Sequence, residues 1–225
     1  MKKYFLIAAV LFFTIDVNAQ CNQYFKVQQG TNWTLSNYDA KGKLQGKTIQ
    51  KVTEYSESSN GFVATFEVTS VDKKGEQTMI GSSKMTCENG VIFFDMNDMF
   101  PEEQMKSMKD MEMKLEGTNL ELPDNLKVGQ QLKDASVVMK VMGPMTMSFT
   151  IDIVDRNVIG KETLDTPAGS FDCFKVSQTV KMKMMMKMEM SSVEYYSKDV
   201  GMVKSETYDK KGKLKAYSLL TTYNY

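Results

Sequence analysis

Thioether sulfur is the group this chain carries in excess: 20 methionines stand among 225 residues, and histidine is absent. Without histidine there is no Ser-His or Cys-His dyad, no His-ligated zinc and no imidazole general base. No glycine-rich phosphate loop occurs either. A glycosidase needs only two carboxylates, and acids are plentiful, but here they alternate with lysines on polar strand faces and read as solvated surface. The chain is therefore expected to be a binding or structural protein rather than an enzyme, with no cofactor.

The methionines are patterned. In Lys181–Met190 every even position is methionine: Met182, Met184, Met186, Met188 and Met190. The odd positions are Lys181, Lys183, Met185, Lys187 and Glu189. In Met145–Ile153 the odd positions Met145, Met147, Phe149, Ile151 and Ile153 alternate with Thr146, Ser148, Thr150 and Asp152. Strict period two marks a half-buried strand, and two such strands would line one wall with flexible side chains. Three readings compete. Methionine fills irregular core gaps, or lines a cavity for a greasy and variable ligand, or offers soft sulfur to Cu(I). With no histidine and no methionine cluster at a terminus, no metal site is expected. The candidate ligand-binding residues are Met145, Met147, Phe149, Met182, Met184, Met186 and Met188.

Other chemistry-bearing residues have plainer readings. Trp33 and the pair Tyr195-Tyr196 suggest a carbohydrate platform, but a single tryptophan on a strand is more often a core anchor. Cys173, between Phe171 and Phe174, reads as a buried, inert thiol. Three cysteines allow three pairings. Cys21–Cys87 is preferred, because both fall at one end of an antiparallel meander, and an oxidising compartment favours one disulfide.

Charge and leader bound the class. Residues 1–19 read as a secretory signal: Lys2 and Lys3, an apolar stretch Phe5–Phe13, then Val17-Asn18-Ala19 before the cut. The alternative, a lipid on Cys21, fits less well because Gln20 replaces the small residue a lipobox requires. Removal of the leader leaves 26 basic and 27 acidic side chains, a net charge of −1. Arg156 is the only arginine. A nucleic-acid partner is excluded for want of an electropositive face. No later stretch is long and apolar enough to span a bilayer as a helix. The mature protein is expected to be exported, to the periplasm, the envelope or the medium.

The elements that position these residues read as a meander. Turns fall at Tyr38–Gly42, Asn60-Gly61, Asp72–Gly75 and Asn89-Gly90. Between them lie strand-like runs at 32–38, 47–55, 62–71, 78–87 and 91–96. In the third, Phe62, Ala64, Phe66 and Val68 share one face. The period changes over 98–110, where Asp98 as cap and Pro101-Glu102-Glu103 as first turn predict one short helix. Residues 111–115 return to strand, and 120–132 connect along a sheet edge. Further strands are expected at 135–142, 145–158, 171–190, 193–197, 203–208 and 214–223. Tyr38–Leu44 matches Tyr208–Leu214, the same hairpin turn used twice. A single domain over 20–225 is expected, with a subdivision, if any, near 117–134.

Thr166–Lys175, Val193-Glu194-Tyr195-Tyr196, Gly201–Glu206 and the start Cys21–Phe25 with Gly30–Trp33 carry a family resemblance. Nearly the whole mature chain is similar to the secreted bacterial proteins of unknown function labelled TapB-like. That family resembles the lipoprotein-carrier (LolA-like) half-barrels, which implies a curved antiparallel sheet around an apolar hollow and transfers no catalytic residue. The expected architecture is mainly β: a curved antiparallel meander, or half-barrel, with one short helix on the concave side. The expected function is a non-enzymatic envelope protein that binds a lipid or hydrophobic small molecule in a methionine-rich concavity. The rival is an interaction protein with a filled core that docks an envelope partner.

Overall fold

A computed structural model describes residues 20–100, 112–142, 146–183 and 186–225. The expected leader 1–19, and most of the expected helix over 98–110, lie outside them. Alternation of apolar and polar residues produces thirteen strands in one curved antiparallel sheet that is not closed into a barrel. The strands are β1 (Asn32–Asp39), β2 (Leu44–Ser58), β3 (Gly61–Asp72), β4 (Gln77–Glu88), β5 (Val91–Phe94), β6 (Glu112–Gly117) and β7 (Leu120–Pro123). They continue with β8 (Ala135–Met142), β9 (Met147–Thr166), β10 (Gly169–Lys183), β11 (Lys187–Ser197), β12 (Gly201–Asp209) and β13 (Leu214–Asn224).

The order across the sheet is β6-β8-β9-β10-β11-β12-β13-β1-β2-β3-β4-β5-β7. Its two edge strands, β6 and β7, are consecutive in the chain and joined by Thr118 and Asn119 alone. So short a link reaches only about 10 Å, so the sheet must curl until its edges nearly meet. The segment after β7 then crosses this seam. Gly129 N donates to Val158 O, Val158 N to Gln130 O and Leu132 N to Arg156 O, fastening the segment to β9.

Three hairpins share one turn. Asp39 Oδ1 accepts from Lys41 N and Lys43 N, Asp72 Oδ1 from Lys74 N and Glu76 N, and Asp209 Oδ1 from Lys211 N and Lys213 N. The echo between 38–44 and 208–214 is thus a repeated hairpin turn. The Lys213 amide, followed by the Lys211 amide and nearby lysine charge, holds the Asp209 carboxyl below its usual range. A carboxyl lowered by folding adds stability above its unfolded pKa and loses it as pH falls through the folded one. Asp209→Ala is expected to lower the thermal midpoint at pH 7. That loss should shrink towards zero as pH falls below the ordinary aspartate range.

The Asn-Gly pairs act differently. Asn89 and Gly90 both take positive φ in the β4–β5 turn. Gly61 does not; a Cβ there would lie 1.9 Å from Cys87 O, so glycine is required by close approach to β4.

Two expectations are corrected. Residues 181–190 are not one strand but a hairpin: β10 ends at Lys183 and β11 begins at Lys187. Met182 pairs with Met188, Lys181 with Glu189 and Val180 with Met190. Even residues oppose even ones, so the period-two pattern passes through the reversal unchanged. Asp98 does not cap an α-helix. A short 3-10 turn, Met96–Met99, is capped by Asp95, whose carboxylate accepts from Asn97 N, while Asp98 Oδ2 accepts from Lys84 N. This turn touches β4, β6 and β8 and buries Met96 against Ala135, Val137 and Ile153.

Cys21 and Cys87 form the disulfide. It anchors residues 20–31, which cross one end of the curled sheet. Asn22 Nδ2 donates to Gly90 O and Leu122 O, and Asp199 N donates to Gln23 O. Tyr24, Phe25 and Val27 of this strap are buried.

Candidate functional site

The concave face holds a cavity of about 190 Å³ that is partly open to solvent. Trp33 and Leu35 of β1, Phe66 and Val68 of β3, Met85 of β4 and Phe94 of β5 form its apolar wall. Alternate positions along each strand supply the lining because only they face inward. Phe25 and Val200 floor it from the strap and the β11–β12 turn. The floor is tight: a Cβ on Gly201 would meet the Phe25 ring at 2.4 Å. The Trp33 ring lies 5.6 Å from Phe66, and its Nε1 donates to Val200 O at 2.7 Å. Phe25 meets Phe94 and Tyr196 edge-on.

One side of the cavity is polar. Glu194 and Tyr196, two apart on β11, face inward together. Tyr196 OH donates to Glu194 Oε2 at 2.6 Å, and Gln178 Nε2 to Glu194 Oε1 at 2.9 Å. Arg156 Nε donates to Gln178 Oε1 at 3.3 Å, while its Nη1 donates to Glu121 O at 3.0 Å and Lys133 O at 2.7 Å. The network therefore runs from the cavity, through β10 and β9, to the edge strand β7. Arg156 is fully buried, at 0% exposure, and its guanidinium stays charged in proteins. Burial pushes the Glu194 carboxyl up, opposed by the Tyr196 hydroxyl, the Arg156 charge and the Gln178 amide. The Tyr196 hydroxyl is pushed well above its usual value by burial and by Glu194.

Of the seven sequence-predicted residues, the five that are described, Met147, Phe149, Met182, Met186 and Met188, do not line this cavity. Met145 and Met184 lie outside the described residues. Met182 faces Met188 across the β10–β11 hairpin and pairs with Ile151 of β9. The two strands are thus neighbours, and their side chains continue the face that carries Ile153 and Val180. Phe149 is half-buried. Toward the hairpin tips the side chains on that face are exposed: Met147 is 44% exposed, Met188 50% and Met186 77%. The lysines between them are exposed as well. Of the methionine wall expected to line the interior, Met147, Met186 and Met188 therefore face solvent.

This placement has a chemical consequence. Exposed thioethers oxidise first. Under mild peroxide, sulfoxide is expected to appear on Met147, Met186 and Met188 well before the buried Met85 and Met96. Peptide mapping by mass spectrometry reads the order.

The cavity residues left partial traces in the sequence. Phe66 and Val68 belong to a recognisable apolar face, and Trp33 and Tyr196 stand out as aromatics. Glu194 did not, since an acid between apolar residues on a strand reads as solvent-facing. Cys173 is buried and free, its thiol pushed to about 12 by burial and by Asp172 and Glu162. Among the described residues no cluster of acids, cysteines or histidines could hold a metal, and no helix is long and apolar enough to cross a membrane.

No curated protein matches the chain. Solved structures do, two of them with a TM-score of 0.72. A protein from Bacteroides fragilis, assigned to export and described as having a YmcC-like fold, is 25% identical with a TM-score of 0.72; the match covers 91% of this chain and 100% of that one. A protein from Parabacteroides distasonis, assigned as a lipoprotein, is 26% identical with a TM-score of 0.72 over the same shares. With the DUF3108-like family model matching residues 28–220, the chain belongs to the DUF3108-like family.

Proposed function

We propose that this protein is a non-enzymatic envelope protein that holds an apolar small molecule in the cavity between Trp33, Phe66 and Met85. The observation that carries the reading is the cavity itself. A curled sheet that served only as scaffold would fill its centre, whereas this one leaves about 190 Å³ open among aromatic side chains. An apolar void near 150 Å³ takes a benzene-sized molecule, so one ring or a short alkyl segment fits.

Export by residues 1–19 with cleavage after Ala19 belongs to this proposal. A sulfur engaged with Cys87 cannot also carry a lipid thioether, so the disulfide favours an unlipidated Cys21. Native mass spectrometry of the protein purified from its own cells tests the function. An added mass lost on denaturation, and missing from a Leu35→Trp variant whose indole fills the cavity, is the expected result. Ligand-free protein in every preparation would count against it. The exposed thioethers at the hairpin tips favour a second reading, a protein that docks an envelope partner, which that outcome would promote.

A further inference from the structure

The polar side of the cavity constrains what can enter. Glu194 is its one ionisable acceptor with unused capacity. A carboxylate offers about four lone-pair sites, and only two are taken, by Tyr196 OH and Gln178 Nε2. Both partners are donors, the arrangement suited to the ionised form. Its charge is balanced from behind, because Arg156 reaches the same Gln178 and no donor of the guanidinium contacts a cavity-lining residue. The other polar lining groups, Gln50, Ser83 and the Tyr196 hydroxyl, are neutral.

We propose that the cavity selects a neutral amphiphile, an apolar body with one hydroxyl or amide N–H that donates to Glu194, and discriminates against free carboxylic acids and amines. This rests on the cavity-binding reading above and specifies its ligand class. A carboxylate entering beside Glu194 would set two like charges together against an apolar wall, which disfavours it. An ammonium would add a second cation to a site already balanced by Arg156. A hydroxyl satisfies the free lone pairs at no cost in charge.

Trp33 reports the test directly, being the only tryptophan and part of the cavity wall. The full exported chain is titrated at neutral pH with 1-octanol, octanoate and octylamine, following tryptophan emission. Octanol is expected to bind at least about tenfold more tightly than either charged analogue. In Glu194→Gln, whose amide can donate to a carboxylate, the octanol-to-octanoate ratio should fall to within about threefold. Equal affinities of the wild type for octanol and octanoate overturn the head-group assignment and leave the cavity reading standing. So does an unchanged ratio in a Glu194→Gln protein that keeps its circular dichroism. If none of the three probes shifts the emission of folded wild-type protein, the cavity reading fails and this inference falls with it. The wild-type comparison decides even if the variant does not fold.

Discussion

Arg156→Ala is expected to lower the unfolding free energy by about 3–5 kcal/mol, the cost of removing one member of a buried charge network. Two losses combine. The part-buried carbonyls of Glu121 and Lys133 lose their donor, at a cost of up to about 1–3 kcal/mol for each group left unsatisfied. Glu194, already raised by burial, loses the charge that opposes that rise. With its cation gone, the folded carboxyl moves further up. A group raised by folding favours the native state below its unfolded pKa and forfeits that contribution as pH rises through the folded one. The charge part of the loss should therefore be largest at neutral pH and fade as pH falls towards the ordinary glutamate range. The carbonyl part should persist. Urea titrations at several pH values separate the two, and Arg156→Ala with Glu194→Gln should recover the pH-dependent share only. An Arg156→Ala protein as stable as the wild type would mean that the seam between β6 and β7 is held by other contacts.

Breaking the disulfide is the second large effect. Cys21 and Cys87 are 66 residues apart, and closing a loop of that length is worth about 4 kcal/mol on the chain-entropy model. Cys21→Ser should lower stability by about that amount. It should also loosen the strap, so that Phe25 no longer floors the cavity. Cys173 will not rescue the link by exchange, because its thiol is buried and pushed to about 12, leaving almost no thiolate. Denaturant titration of the oxidised, reduced and Cys21→Ser proteins measures the loss. Coincident curves for the reduced and Cys21→Ser forms would assign the whole effect to the one bond.

Much of this architecture was legible in the residues. Period-two alternation located the strands, and the repeated Asp-x-Lys-Gly and Asn-Gly signals located the turns, because each turn chemistry is local. The disulfide followed from placing two cysteines at one end of a meander. What lay hidden was long-range. Nothing in Gly117-Thr118-Asn119-Leu120 says that its two flanking strands occupy opposite edges of one sheet. The run 181–190 concealed a hairpin because its pairing keeps even residues opposite even ones. As a result, a methionine-lined face was assigned to the interior although Met147, Met186 and Met188 on it are exposed. Arg156 was noticed only as a shortage of arginine, yet a lone buried guanidinium tying β9 to β7 is where the fold invests its one copy. Glu194 reads as surface by every local rule and becomes interior only once the seam closes.

Xenon addresses the central claim most directly, since it enters dry apolar cavities and avoids hydrated or filled ones. Crystals pressurised with the gas should show a xenon atom between the Trp33, Phe66 and Met85 side chains, with none at the exposed methionines of the hairpin tips. A centre packed by side chains, or occupied by ordered water in place of xenon, would contradict the account.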